Sequence, residues 1–198
     1  MWPAAVAIAL FTVLGVLIRL RVAVPGDAGL VRSLHGHRRE TATEFFLDVD
    51  AASDAVVVGV AAAVVALALA AQRRPPAAAL FVVAFAVPVL ANPLLKQLFA
   101  RARPSVAPAV DEVSRYGFPA GHAVAAAAFF GALLLASSAA RRRWLLPAAL
   151  VVSALIGFAE LYLGRHYPTD LVAGWALAAA WVFALSGYVA ARPQLTSK

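Results

Sequence analysis

Six long apolar segments, separated by shorter polar connections, constrain the fold of this chain more than any other feature. Each segment has 17 to 21 residues, and a helix needs about 20 residues, at roughly 1.5 Å of rise each, to cross the core of a bilayer. We therefore expect an all-α protein in which a six-transmembrane-helix bundle forms one domain over residues 1–198. The first segment lacks a charged start and a clear cleavage site, so we expect a span rather than a signal peptide. The segments are residues 2–18, 55–71, 77–95, 123–140, 144–163 and 171–191.

The composition excludes several classes of protein. Hydrophobic residues make up 63% of the 198 positions and charged residues only 14%, whereas soluble domains have about 25% charged residues. Because the chain has no cysteine, disulfides and thiolate metal sites are excluded. The sequence pI of about 10.8 could indicate nucleic-acid binding, but so apolar a chain leaves no room for the continuous basic face that such binding requires. We expect no nucleic-acid partner.

Charged residues are distributed unevenly between the two ends of the predicted bundle. If the helices alternate in direction, one side receives seven basic residues and no acidic residue, and the other receives ten of each. Short loops rich in lysine and arginine stay in the cytoplasm, so the loops 72–76 and 141–143 are predicted to be cytoplasmic. The seven basic residues are Arg73, Arg74, Arg141, Arg142, Arg143, Arg192 and Lys198.

A polar stretch over residues 25–50 is predicted to form an outer loop. Two interpretations remain open for it: an amphipathic helix on the membrane surface or a solvated loop. The apolar residues available to such a helix are Phe45, Phe46, Leu47 and Val49. The stretch also contains His35 and His37, but two histidines without a third ligand do not make a metal site, so we expect no metal there.

Three short polar clusters stand at the ends of apolar segments, and the alternating topology places all three on the outward face. The first contains Lys96 and Arg103, which would share one face of a helix that continued to residue 103. The second, Pro-Ala-Gly-His at residues 119–122, opens the fourth span, and the N–H groups at a helix start bind anions. The third contains His166 and Asp170 at another predicted helix start.

Each cluster has an ordinary structural explanation when it is considered alone. Basic side chains at a helix end can extend to the membrane surface, proline and glycine can mark a junction between loop and helix, and Asp170 can complement a helix dipole. Together, however, the clusters supply cations, two imidazoles and a carboxylate at one end of the bundle. Ionisable groups at membrane depth indicate a functional site, and a carboxylate beside an imidazole suits that imidazole for nucleophilic catalysis.

These clusters resemble the three-part signature of the type 2 phosphatidic acid phosphatase (PAP2) superfamily, K-x6-RP, PSGH and SR-x5-H-x3-D. The first part is complete over residues 96–104. The second reads Pro-Ala-Gly-His at 119–122, and the third keeps His166 and Asp170 at the family spacing. The run Tyr-Leu-Gly-Arg-His-Tyr-Pro-Thr-Asp at 162–170 is also very similar to the Y-L-G-x-H-Y-P-[ST]-D of the family.

The resemblance implies a membrane enzyme that hydrolyses lipid phosphates in two steps, without a metal or another cofactor. His166 would attack phosphorus and form a phosphohistidine, with Asp170 holding its other ring nitrogen. His122 would protonate the leaving oxygen and then activate water. The groups that would neutralise the phosphate oxygens are Lys96, Arg103 and the backbone around Gly121.

The same resemblance implies a substrate that enters from the membrane, with its tail between helices. Polyprenyl diphosphates, phosphatidic acid and phosphatidylglycerophosphate all fit such a fold. We expect the protein to reside in a bacterial cell membrane, with its site on the extracytoplasmic face.

Three positions depart from the signature, Ala120, Ala159 and Glu160, and the resemblance implies that the residues replaced at Ala120 and Glu160 contact phosphate. Ala120 stands at the serine of the second part and removes one hydrogen bond to phosphate, worth roughly 1.5–3 kcal/mol. Glu160 stands at the arginine of the third part and puts a potential anion in the phosphate-binding site, an effect that Arg165 could partly offset. Two functions therefore remain open: a lipid phosphatase, and a non-catalytic relative that binds or helps move a lipid phosphate.

Overall fold

The computed structural model describes residues 2–105 and 115–191 as eight α-helices. These residues contain no β-strand, and one isolated bridge pairs Ala102 with Tyr116. The all-α prediction is therefore confirmed. The helices are α1 (Trp2–Arg19), α2 (Asp27–Gly36), α3 (Glu40–Ala52), α4 (Ala55–Ala71), α5 (Pro75–Phe99), α6 (Gly121–Ala136), α7 (Ala139–Tyr162) and α8 (Pro168–Ala190).

All six predicted spans are helical, but they differ in length. Four helices, α1, α5, α7 and α8, are individually long and apolar enough to cross a membrane. Helix α4 has 17 residues, and with α3 it forms a pair bent by 46° that would be a fifth span. Helix α6 has 16 residues. Length and composition thus support four or five spans among the described residues, and α6 is a sixth, shorter apolar helix of the bundle.

Helix α6 lies at the centre of the bundle, in contact with α4, α5, α7 and α8. Its buried residues are nearly all alanine, and small side chains let helix backbones approach closely in a membrane. Where α6 crosses α8, a Cβ atom added to Gly174 would lie 2.8 Å from the carbonyl oxygen of Ala120. Glycine at this position therefore allows the start of α6 to pack directly against α8.

The outer faces of the long helices expose large apolar side chains. An apolar surface of this extent is unfavourable in water and favourable in lipid. The chain is accordingly an integral membrane protein. Representative exposed residues are Val13, Val64, Leu67, Leu90 and Val151.

The polar stretch over residues 25–50 folds into α2 and α3, so the helical interpretation is right and the solvated loop is wrong. The ring of Phe46 packs 4.6 Å from that of Tyr162 on α7, measured between centroids. The backbone N–H of Arg39 donates a hydrogen bond of 2.8 Å to the Tyr162 hydroxyl. Helix α3 is therefore attached to the protein through α7, and its predicted place on the membrane surface remains a prediction.

Residues 141–143 belong to the first turns of α7 and do not form the predicted loop. The chain turns earlier, at Ser137 and Ser138. Arg142 extends back across this turn, and its Nε donates to the carbonyl oxygen of Leu134 at 2.8 Å. The last carbonyl groups of a helix have no partner within it. Arg142, in the first turns of α7, therefore stabilises the C-terminal end of α6.

The other predicted loop, 72–76, is shorter than expected because α5 begins at Pro75. Arg192 and Lys198, which belong to the same charge argument, lie outside the described residues. The cytoplasmic placement of this side remains a prediction.

Candidate active site

A cavity of about 550 Å³ lies among the end of α3, the start of α4, α5, the start of α6 and the connection from α7 to α8. It brings together residues from all three polar clusters. Two predicted site residues, Ala120 and Asp170, do not line it. Those that do are Lys96, Arg103, Gly121, His122, Glu160, Arg165 and His166.

His166 lies between α7 and α8, with only 1% of its surface exposed. Its Nδ1 is 3.5 Å from Oδ2 of Asp170, and its Nε2 is 3.2 Å from Nη1 of Arg103. A carboxylate only accepts and a guanidinium only donates, so Nδ1 carries the proton and Nε2 carries the lone pair. Burial lowers the pKa of His166 to about 4, which keeps the ring neutral at pH 7. This is the protonation state of a nucleophile.

Two hydrogen-bond donors hold the carboxylate of Asp170 in place. It accepts a hydrogen bond of 2.9 Å from the backbone N–H of Tyr167, the N-cap residue that immediately precedes α8. It also pairs with Nη1 of Arg101. Asp170 is fully buried, so these contacts fix the carboxylate that faces His166.

Arg101 connects this carboxylate to a second one on α2. Its Nη2 lies 2.6 Å from Oδ2 of Asp27, and the hydroxyl of Thr169 donates to the same oxygen at 2.6 Å. Neither Arg101 nor Asp27 was among the site residues that the sequence predicted. No local pattern could have revealed this pair, because 74 positions separate its members.

Lys96 and Arg103 reach the cavity by a route that differs from the predicted one. Helix α5 ends at Phe99, and Ala100 adopts a left-handed conformation with a φ of 47°. The expected helix through residue 103 is therefore wrong, because the chain turns before it. Arg103 instead donates from Nη1 to the carbonyl oxygen of Arg165 at 2.7 Å.

Helix α6 starts at Gly121, beside Lys96, as the sequence predicted for this junction. A Cβ atom at residue 121 would lie 3.6 Å from Oδ1 of Asn92 and 3.9 Å from Nζ of Lys96. Because glycine has no side chain, this space stays open against the first turn of the helix. The N–H groups of that turn carry partial positive charge, so together with Lys96 they form a site for an anion.

Ala120 does not have the position expected of a phosphate ligand. It is fully buried, packs with Ala123 and Leu171, and donates its backbone N–H to the carbonyl oxygen of Asp170 at 3.0 Å. The close packing of α6 on α8 directs this residue into the protein interior. We therefore correct its role to that of the residue that precedes and caps α6.

Glu160, in the last turn of α7, contacts both histidines of the cavity. Its Oε1 lies 3.3 Å from Nδ1 of His122, and its Oε2 lies 3.5 Å from Nε2 of His166. The residue is 1% exposed, and among the described residues neither carboxylate oxygen has a hydrogen-bond partner. Glu160 is thus a buried acid without a donor, beside the expected phosphate position.

Asp50, at the end of α3, joins this group although the sequence did not indicate it. It pairs with Nη1 of Arg165 and lies 3.4 Å from Nε2 of His122. Arg165 is also 3.6 Å from Oε1 of Glu160. The guanidinium of Arg165 therefore lies between two carboxylates, where it offsets their charge.

Part of the remaining cavity wall is polar, formed by Ser53, Asp54 and Asn92. The other part is apolar and is formed by Ala55, Val89, Leu90, Pro93 and Ala125. Leu90 is 72% exposed and belongs to the surface suited to lipid. The cavity therefore combines a charged end with a wall that can contact a hydrocarbon chain.

Comparison with known proteins agrees with the geometry. The family model of the PAP2 superfamily matches residues 76–194. Phosphatidylglycerophosphatase B of Bacillus subtilis is 29% identical over 117 residues, which are 55% of this chain and 56% of that protein. Undecaprenyl-diphosphatase of Sulfolobus acidocaldarius is 28% identical over 110 residues, 53% of this chain and 51% of that protein. The matches thus span about half the length of these relatives.

A solved structure matches over almost the whole chain. It is the crystal structure of a transmembrane PAP2-type phosphatidylglycerolphosphate phosphatase from Bacillus subtilis, with a TM-score of 0.86. The match covers 97% of this chain and 98% of that one, at 21% sequence identity. At this identity the likeness concerns the fold.

Proposed function

This chain belongs to the PAP2 superfamily, and we propose that it is a phosphatase that removes phosphate from membrane lipids. The observation that carries the proposal is His166, a buried neutral imidazole that faces the cavity on one side and Asp170 on the other. The names of the two relatives, a phosphatidylglycerophosphatase and an undecaprenyl-diphosphatase, support a lipid phosphate or lipid diphosphate as the substrate.

In the first step, Nε2 of His166 attacks phosphorus as the bond to the leaving oxygen breaks. His122 donates a proton to that oxygen, and the lipid alcohol or lipid phosphate departs. The phosphohistidine that forms has a positively charged ring, which Asp170 stabilises through the Nδ1 proton. Asp170 is suited to this role because Arg101 and the Tyr167 backbone already hold it in place.

In the second step, water releases the phosphate. His122, now neutral, accepts a proton from a water molecule whose oxygen attacks phosphorus. The N–P bond breaks, inorganic phosphate leaves, and Nε2 of His166 regains its lone pair. His122 lines the cavity and its side chain is 24% exposed, so it can exchange protons with water while His166 stays buried.

Three cations and one helix start surround the reacting phosphate. Lys96, Arg103 and Arg165 line the cavity together with Gly121 at the start of α6. Such donors stabilise the charge of the equatorial oxygens in the transition state, which is the main source of catalysis in phosphoryl transfer. The apolar wall formed by α5 would hold the lipid tail.

The proposed reaction is tested by phosphate release from a panel of lipid phosphates and lipid diphosphates. Purified wild type should release phosphate from at least one of them, and His166→Ala should abolish release because no other group would form the intermediate. His35→Ala, on the exposed part of α2, is the matched control and should behave as wild type. Saturable binding without release from any substrate would favour the non-catalytic function, which the carboxylate of Glu160 beside the phosphate position supports.

We also propose that the cavity opens on the extracytoplasmic side, because the predicted opposite side receives seven basic residues and no acidic residue. The chain contains no cysteine, so single cysteines can report each side. In intact cells, an impermeant thiol reagent should label Ser105→Cys and leave Gln72→Cys unlabelled. The reverse pattern would contradict this orientation.

A further inference from the structure

Two carboxylates beside His122, those of Asp50 and Glu160, have no use in the proposed reaction. Both would repel an anionic substrate. Glu160 is the more unusual, because it is 1% exposed and neither of its oxygens has a hydrogen-bond partner among the described residues. A buried carboxylate without a donor is strongly unfavourable, so a cation that binds there would remove a real energetic penalty.

His122 supplies a neutral ligand beside these two acids. One ligand atom from each of Asp50, His122 and Glu160 can be chosen so that all three lie within 4.8 Å of one another. Nδ1 of His122 lies 3.3 Å from Oε1 of Glu160, and Nε2 of His122 lies 3.4 Å from Oδ1 of Asp50. Ligands that each lie about 2.0–2.2 Å from one zinc ion are roughly 3 to 4 Å from each other. One ion binds only one ring nitrogen of His122, so side-chain rotation is needed to bring all three ligands to the same ion.

We propose that Asp50, His122 and Glu160 bind a divalent transition-metal ion, with Zn²⁺ as the best match. One imidazole and two carboxylates form a ligand set that Zn²⁺ accepts. The side chains of His122 and Asp50 are 24% and 17% exposed, so an ion can enter from the cavity. The sequence predicted no metal site because the three ligands come from three separate helices.

Arg165 is the cation that a metal ion would displace. Its guanidinium now pairs with Asp50 and lies 3.6 Å from Glu160. An ion of charge +2 neutralises both carboxylates at shorter distance than the guanidinium does. Arg165 would then be released toward the rest of the cavity, in which Lys96 and Arg103 also lie.

Metal binding should also change the rate of phosphate release, and this second expectation rests on the proposed function. A ring nitrogen that ligates the ion cannot transfer a proton, so His122 cannot act as the acid or base while the metal is bound. Zn²⁺ should therefore slow phosphate release, and EDTA should restore it. The binding itself does not depend on whether the protein is a phosphatase.

The test is the equilibrium binding of Zn²⁺ to the purified full chain in detergent, after treatment with EDTA, by isothermal titration calorimetry. Wild type should bind one ion per chain. Glu160→Gln should weaken binding by roughly 10- to 100-fold or more, since even outer partners of metal ligands contribute that much. Glu44→Gln, an exposed acid on α3, is the matched control and should bind as wild type does.

Asp50→Asn provides a second variant and should show the same loss, with far-ultraviolet circular dichroism to verify that both variants are folded. Zn²⁺ should also raise the thermal midpoint of wild type and Glu44→Gln but not that of Glu160→Gln. Stoichiometric binding that persists in Glu160→Gln and Asp50→Asn but disappears in His35→Ala/His37→Ala would assign the ion to α2 and overturn the proposal. Failure of wild type to bind Zn²⁺ would overturn it as well, whatever the phosphatase assay shows.

Discussion

Two clusters of acids and bases flank His166, one at each ring nitrogen. The rear cluster faces Nδ1, and the front cluster faces Nε2 and the cavity. The rear cluster consists of Asp27, Arg101, Thr169 and Asp170. The front cluster consists of Asp50, His122, Glu160 and Arg165.

The two clusters differ in how completely their carboxylates are bonded. In the rear cluster, Asp27 accepts hydrogen bonds of 2.6 Å from both Arg101 and Thr169, and Asp170 is bonded to Arg101 and the Tyr167 backbone. In the front cluster, Glu160 has only contacts of 3.3 to 3.6 Å. A satisfied network holds its members rigidly, whereas an unsatisfied buried group is available to bind a ligand. The rear cluster therefore positions the nucleophile, and the front cluster meets the substrate or an ion.

Among the residues of the two clusters, His122→Ala in the front cluster should have the largest effect on turnover. General acid–base catalysis typically contributes a factor of about 10² to 10⁴, and the loss should be greatest for substrates with poor leaving groups. Steady-state kcat measured on a series of phosphate esters with different leaving-group pKa values tests this. An equal loss across the whole series would contradict the role of His122 as the acid.

Arg101→Leu, in the rear cluster, should destabilise the fold. It leaves Asp27 and Asp170 buried without their cation, and breaking a buried ion pair in this way costs about 3–5 kcal/mol. Unfolding of the purified protein in detergent measures the loss, and kcat should fall more than KM rises because His166 loses its support. Arg32→Leu, on the exposed face of α2, should leave both unchanged. If Asp50→Asn destabilised the protein as much as Arg101→Leu, the two clusters would not differ as described.

Glu160→Gln should improve substrate binding when EDTA is present to remove metal ions. Two unit charges 4 Å apart repel by up to ~4 kcal/mol near a protein surface, and ~1.4 kcal/mol corresponds to a tenfold change in affinity. We expect KM to fall by about tenfold, with Glu44→Gln as the control. A higher KM in Glu160→Gln would show that this carboxylate helps to bind the substrate.

Near neutral pH, the activity should change little with pH. The nucleophile is the neutral form of His166, whose pKa is lowered to about 4 by burial, so the limb of activity that His166 sets is lost as pH falls through about 4. His122→Ala removes the other histidine of the cavity and isolates this limb of the kcat/KM profile. An acid limb near pH 6.5 in that variant would mean that His166 is exposed to water during the reaction.

Much of this architecture could be predicted because its signals are local. The length of the apolar segments predicts the long helices, and Gly121 and Pro168 indicate where α6 and α8 start. The spacing of His166 and Asp170 places them one helical turn apart. Alternation of the helices then places the polar clusters at one end of the bundle, as the cavity residues show.

The same local signals were insufficient where distant elements meet. The end of α5 depends on the left-handed turn at Ala100, and the burial of Ala120 depends on the close crossing with α8 at Gly174. Neither the turn at Ala100 nor the burial of Ala120 can be predicted from the local sequence of its own segment.

Local sequence signals were sufficient to predict the long apolar helices and the reactive groups at their ends, since hydrophobic length and helix-start chemistry act over a few turns. The partners of those groups depend instead on how the helices pack together. Asp50 reaches His122 and Arg165 because Phe46 and Arg39 attach α3 to Tyr162 on α7. Asp27, on α2, likewise contacts Arg101 although 74 positions separate the two residues. Side-chain charges interact through space, and the distances that matter arise only when the helices pack.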